Sequence, residues 1–512
     1  MAAGAPEFAP PRLSHRDILI VLGSLMLGML LAALDQMVLG TALPTIVGEF
    51  NALDHLSWVI SAYLLTSTVS VPIYGKVSDL FGRKPLFQIA IVLFILGSAL
   101  GGAAQSMTQL IVFRGIQGLG AGGITSMAQA IIADVVSPRE RGRYTGYMAI
   151  VWLGSSVAGP LIGGLFTDQL GWRWIFFITL PLGALALVVT TRVLKLAHRR
   201  VEERIDFLGA ALIVGAASST LLALTWGGSE YAWGSPTIVG LLTAGAVLCA
   251  TFVAHELRVS EPLLPMRLFG ERIFSVCNSI GLITGMAMFG AFAFLPIYMQ
   301  VVRGVTPTES GVRTMPLVIA LIVTSIASGR LISATGRYRA YPIAGGAVIA
   351  TAMLMLSLLD EGSPWWQVEL VILATGVGMG LTMQVLVLAV QNSVAHRDVG
   401  VATASVQFFR SIGGAMGVAI FGAVFSNRLT VYVARFVPAG DASGVGGSLR
   451  PNPEQLQALP PELYADFVQA FSSAVSDVFL WAVPLATVSF FLALLLREIP
   501  LREHGEPAPQ TF

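Results

Sequence analysis

The sequence predicts an all-α membrane protein of two six-helix bundles with two further helices between them, fourteen spans in all. Three observations predict it. Of 512 residues, 55% are hydrophobic and only 12% charged; a soluble domain carries about 25% charged residues, so there are too few to coat a water-facing surface of this size. The mean hydropathy of +0.77 agrees. The apolar residues fall into repeated runs of roughly 20, the length a helix needs to cross a bilayer. A basic, glycine-containing turn recurs at the same place in the first and second sets of six runs.

Taken in order, the runs are 17–40, 55–75, 85–104, 109–133, 143–166, 174–194, 207–226, 237–255, 273–300, 311–331, 341–359, 366–390, 400–426 and 472–496, cut at charged or Gly/Pro-rich breaks. The first follows a short basic tail with Arg12, His15 and Arg16. Its length suits an uncleaved span rather than a signal peptide. Lys and Arg gather in cytosolic loops. With the N-terminus inside, 22 of the 30 basic residues fall on the inner side and 6 on the outer, and Arg114 and Arg410 lie within spans. One missed span in the middle would scramble that bias, so it checks the count as well as the direction. Both termini are expected in the cytosol of a multi-pass protein of the cytoplasmic membrane. The expected division is 1–196 for the first bundle, 197–270 for the basic linker and inserted helices, and 271–512 for the second bundle. The second bundle carries an external loop at 427–471, ending in a short surface helix over 461–471.

The repeat lies after the second and tenth runs. GKVSDLFGRKPL (75–86) aligns with GRLISATGRYRA (329–340), matching Gly75 to Gly329, Lys76 to Arg330, Gly82 to Gly336 and Arg83 to Arg337. With the seventh and eighth runs as an insertion, both turns follow the second helix of a set of six. Two such sets related by an axis along the membrane normal place a substrate site between them near the midplane.

Two basic residues and one acid sit deep in these runs. Asp35 lies in the first, with apolar turns on both sides, and an intramembrane carboxylate is costly and reads as functional. Low dielectric pulls a carboxyl group towards its neutral form and a nearby cation towards its ionised form. A group held between those pulls can load and release a proton. The bland alternative is a permanent ion pair that ties helices together. Arg114 is the expected partner, with Gln117 one turn on; alternatively it snorkels to the outer interface. Arg410, with Gln407 a turn earlier, either bonds backbone carbonyls or faces a cavity.

Four motifs, LDQMVLGTALP (34–44), GKVSDLFGRK (75–84), RGIQGLGAG (114–122) and GYMAIVWLGSSVAGPLIGG (146–164), with WRWIFFITLPLG (172–183), resemble the major facilitator superfamily. More narrowly they resemble its fourteen-spanner drug/proton antiporters of the EmrB/QacA type. Leu80, where the family loop has a basic residue, and Ser155, where the fourth motif has Gly, depart from the pattern. The resemblance implies the major facilitator fold and proton coupling through Arg114 with Asp35. It implies a conformational latch at Gly75, Asp79, Gly82, Arg83 and Lys84, asymmetric because Ser333 stands at the matching place in the second half. It also implies an antiporter motif at Gly154, Gly159, Pro160, Gly163 and Gly164, whose small residues let helices approach closely.

Candidate cavity residues are Gln36, Tyr63, Gln117, Trp152, Asn278, Phe292, Tyr298, Gln384 and Arg410, chosen as polar, aromatic or charged groups inside the runs. For each alone, ordinary helix packing is the better reading, and for Arg410 it stands level with a cavity role. There is no GxxxxGK[ST] loop for ATP and no His/Cys cluster at metal-ligand spacing. Cys249 and Cys277 read as small core residues. The expectation is a monomeric, proton-coupled exporter of small lipophilic molecules, in contact with membrane lipids, without cofactor, nucleic acid or enzymatic chemistry. A lipid flippase of the same fold, a proton-coupled importer and a non-transporting receptor are the alternatives.

Overall fold

Lipid offers backbone N–H and C=O groups no partner, so the long apolar runs satisfy them internally as helices. The computed structural model describes residues 14–50, 56–136, 138–194, 206–228, 230–305, 307–395, 398–436 and 460–501. The first half holds α1 (His15–Phe50), α2 (Leu56–Phe81), α3 (Arg83–Gly102), α4 (Met107–Val135) and α5 (Pro138–Gln169). Its sixth helix is broken at Ile178 into α6 (Trp174–Phe177) and α7 (Thr179–Val193). Between the halves stand α8 (Phe207–Trp226) and α9 (Pro236–Glu256). The second half holds α10 (Arg272–Ile297), α11 (Pro307–Thr335), α12 (Ala340–Ser357), α13 (Trp365–Ser393), α14 (Val399–Phe436) and α15 (Pro461–Leu494).

Local chemistry sets several of these boundaries. Ser106, Asp206 and Ser235 accept backbone N–H bonds from Gln109, Gly209 and Ile238 and so cap α4, α8 and α9, satisfying donors that a helix start leaves open. Pro181 lies in the first turn of α7, where its missing N–H costs nothing. Pro296 sits inside α10, and the chain beyond it rewinds as a π-turn over Tyr298–Val302.

Among the described residues eleven helices are long and apolar enough to cross a membrane. The helices α4, α5 and α10 do not meet that measure over their described length. For α4 the reason is burial: most of its residues are enclosed by neighbouring helices, so lipid does not demand an apolar surface all round. Two further corrections concern lengths. α14 continues to Phe436 and α15 starts at Pro461, so the expected loop at 427–471 shrinks to its middle. The expected surface helix is the first part of α15 itself. Likewise α1 runs ten residues past the expected end, to Phe50. Apolarity marks where a helix lies in lipid, not where its hydrogen bonding stops.

The halves pack as the repeat requires. α2 packs on α14, and α11, its counterpart, packs on α5. Gly82 and Gly336, matched in the repeat, both adopt positive φ, 94° and 73°, a conformation that favours glycine. Two apolar clusters lie in the first half and one in the second; a fourth joins the second half to α8, α9 and, through Val69 and Val71, to α2. α8 packs on α9 and touches both α2 and α14, whereas α9 is mostly exposed along its length. Cys277 is buried as expected, but Cys249 lies exposed on α9.

Candidate functional site

α4 is brought close to α2 and α3 by glycines. A Cβ added at Gly118 would lie 2.4 Å from the Tyr63 carbonyl oxygen, and one at Gly97 would lie 2.5 Å from the Gln117 nitrogen. That close approach carries Arg114 and Gln117 in towards α1. There Arg114 Nη1 donates to Asp35 Oδ2 at 2.6 Å and to Gln117 Oε1 at 2.6 Å, and Gln117 Nε2 donates to Asp35 Oδ1 at 2.8 Å. All three side chains are buried, Asp35 and Arg114 to 4% and 2% exposure. Snorkelling is therefore excluded for Arg114 in this conformation.

Tyr63 belongs to this cluster rather than to an open cavity. Its ring lies under the Arg114 guanidinium, 4.2 Å from the centroid, and its buried hydroxyl has no hydrogen-bond partner among the described residues; Gln36 is half-buried. The chemical consequence is a cation with three supports. When Asp35 is ionised it neutralises Arg114 directly. When Asp35 is protonated, the ring face and the Gln117 carbonyl still hold the guanidinium. A carboxyl group in such a frame can change charge without stranding its partner.

At the end of the bundle that carries the basic loops, Arg83 opens α3 and lies buried between Asp79 (3.1 Å, Nη2 to Oδ1) and Asp134 at the end of α4, to which its Nε donates. Asp79 also accepts the Val401 N–H at 3.3 Å. It thus sits at the N-terminus of α14, in the other half of the molecule, where a helix favours negative charge. Gly75 makes room for this crossing: an added Cβ would lie 2.7 Å from the Ala404 Cβ. On the paired crossing, Arg330 donates to the Tyr147 hydroxyl at 3.3 Å. Ser333, the counterpart of Asp79, donates to the Gly329 carbonyl of its own helix. Lys84 stands apart from this network, donating to the Thr191 carbonyl at 2.9 Å at the end of α7.

In the 146–164 motif, Gly159 shows a close approach, with an added Cβ 2.3 Å from the Met37 Cβ of α1. Gly163 is buried, while an added Cβ at Gly154 or Gly164 would meet open space, so tight packing does not account for those two. The side chains of Pro160 and Phe292 lie outside the described residues. Trp152 is exposed. Tyr298 is buried in the π-turn and donates to the Asp360 carbonyl at 2.7 Å, a packing role. Asn278 is buried, bonds to its own helix through Nδ2, and leaves Oδ1 without a partner. The Oε1 of Gln384 is also buried and without one, and Arg410 is half-buried, donating to Gln407.

Sequence reasoning missed the partners that lie far along the chain. Asp134, Gly400 and Val401 complete the contacts around Asp79 and Arg83, and nothing local marks them. A readable signal was present in GGAMG (413–417). Added Cβ atoms at Gly413 and Gly417 would lie 2.0 and 2.1 Å from the Leu282 and Met286 carbonyl oxygens, so this stripe packs α14 hard against α10. The WRW motif is likewise explained. Trp172 and Arg173 donate to the Glu49 carboxylate at 2.6 and 2.7 Å, tying the start of the sixth helix to the far end of α1.

Similarity to known proteins agrees with this architecture. The chain is 42% identical over 506 residues to the MFS-type transporter Rv1877 of Mycobacterium tuberculosis, covering 99% of this chain and 72% of that one. It is 38% identical to the multidrug transporter protein MdtP of Bacillus subtilis, over 91% of this chain and 88% of that one. It is 34% identical to the efflux pump FUS6 of Gibberella moniliformis, over 92% and 86%. Among solved structures, the proton:xylose symporter XylE superposes with a TM-score of 0.61 at 15% identity, covering 96% of this chain and 99% of that one. The human organic anion transporter MFSD10 superposes with a TM-score of 0.60 at 16% identity, covering 92% and 99%. At such identities the shared feature is the fold. The family model matching residues 25–418 is that of the Major Facilitator Superfamily, and the chain belongs to that superfamily of non-enzymatic membrane transporters.

Proposed function

We propose that this protein is a proton-coupled antiporter of the fourteen-spanner drug-exporter type, moving lipophilic small molecules out across the cytoplasmic membrane. The observation that carries the reading is the buried frame of Asp35, Arg114, Gln117 and Tyr63. The efflux relatives support the direction of transport. Fourteen spans, with both termini in the cytosol, put the latch on the cytosolic side, where the Asp79–Val401 contact holds the halves together in this conformation. Substrate enters when that contact opens. Its binding is coupled to loss of the Asp35 proton, and the ionised carboxylate then closes on Arg114. The halves rock, substrate leaves outward, and Asp35 takes a proton from outside. Such rocking is a two-state exchange that the latch biases.

The test uses purified protein in liposomes with a pH gradient. Dye efflux accompanied by proton counterflow is expected, and Asp35→Asn should abolish the proton movement. Drug-driven proton flux that survives in that variant removes Asp35 from the mechanism.

A further inference from the structure

Arg114 and Arg410 lie deep within their helices, and the structure treats them differently. Arg114 has a carboxylate. Arg410 has none: among the described residues its one hydrogen-bond partner is the neutral Gln407. An unneutralised guanidinium at membrane depth is costly, and Arg does not shed its proton to relieve the cost. Backbone carbonyls, the packing alternative, do not accept from it.

The placement of Arg410 is fixed by its neighbours. Its carbonyl oxygen packs against Gly285 of α10, at 2.4 Å from an added Cβ, so the backbone cannot shift. Gly400 and Ala404 face α2 of the other half, and Gln407 continues that stripe one turn on, so Arg410 and Gln407 stand near the junction of the halves. On α13 the Gln391 amide donates to Thr403 of α14 at 2.8 Å. These helices run antiparallel. Two turns, seven residues or about 10.5 Å, further along each helix from that contact lie Gln384 and Arg410. That spacing puts each on the side of its helix that carries the Gln391–Thr403 contact, and the Gln384 Oε1 is buried with no partner. Arg410, half-buried and bonded to Gln407, and the unpartnered Gln384 oxygen thus both keep hydrogen-bonding capacity.

We infer that Arg410, with Gln407 and Gln384, is the subsite that receives the anionic group of a carboxylate-bearing amphiphile in transit. The guanidinium fork matches a carboxylate in two parallel bonds, and Gln384 takes an adjacent hydroxyl or N–H of the same molecule. This deepens the export reading, and passage of the ligand through the subsite rests on that reading.

The test is binding to the full-length protein in phosphatidylcholine nanodiscs, followed by naphthyl fluorescence. The probes are 2-naphthylacetate, the corresponding primary amide and the corresponding amine. The wild type should bind the carboxylate about tenfold or more tightly than the amide, the worth of a charge-assisted bond. R410Q should erase that preference while leaving amide affinity within about twofold, and R410K should keep most of it. Since Arg410 has no carboxylate to strand, R410Q should fold. Equal binding of carboxylate and amide by the wild type overturns the assignment. So does equal weakening of all three probes in both R410Q and R410K, which marks a structural role. Phosphatidylglycerol added to the discs separates two sources of anion: competitive loss of naphthylacetate assigns a lipid headgroup, and unchanged binding the soluble amphiphile. Carboxylate-selective binding with no flux of any compound in liposomes sinks the export reading and leaves the subsite standing. Export without carboxylate preference does the reverse.

Discussion

A single aromatic ring separates two models of the charge site. If Arg114 answers to Asp35 alone, changing Tyr63 is a packing lesion. If the ring holds the guanidinium while Asp35 is protonated, Tyr63→Leu removes a desolvated cation–π contact of about 1–2 kcal/mol. Drug-driven proton flux in liposomes should then fall roughly 5- to 30-fold, whereas Tyr63→Phe keeps the ring and should stay within about twofold. Glu49 offers a pH test at the surface. Hydrogen bonds from Arg173, and then from Trp172, hold its carboxyl below the usual carboxylate value of 4.5. A depressed folded value stabilises the fold above the unfolded value, and that contribution is lost as pH falls through the folded one. The melting temperature of purified protein, scanned from about pH 6 to about pH 3, should therefore drop less in Glu49→Gln than in the wild type.

Helix ends and helix crossings govern the next scale. Asp79 closes the basic end by accepting from the N-terminus of α14 and pairing with Arg83. Asp79→Asn leaves an oxygen but removes the charge that the helix favours, a loss of about 1–2 kcal/mol. Spin labels on the facing ends of α2 and α14 should show the separated population rise roughly 5- to 30-fold. The glycines of 154–164 should divide by their surroundings. Gly159→Ala forces a Cβ into Met37 and should cost about 1–3 kcal/mol of thermal stability; Gly154→Ala and Gly164→Ala enter open space and should stay within about 0.5 kcal/mol. If both also leave transport intact, the expected antiporter motif narrows to the stretch around Gly159.

For the whole molecule, the bias of basic residues predicts where the termini lie. A fluorescent protein fused after Phe512 should glow, and alkaline phosphatase fused there should be inactive; the opposite pair of results would reverse the topology. The sequence by itself determined the class, the repeat and the charge site. The reason is that lipid imposes composition over whole runs, that matched turns need glycine at matched places, and that a carboxylate such as Asp35 in hydrocarbon is costly enough to stand out in one dimension. Only the tertiary structure decided which groups meet. Asp79 reaches Val401 across 322 residues, Tyr63 lies under Arg114 because glycines let α4 close on α2, and Arg410 meets Gln407 where Arg114 meets Asp35. Those pairings depend on helix rotation and on register between distant segments, and neither composition nor local spacing carries that information.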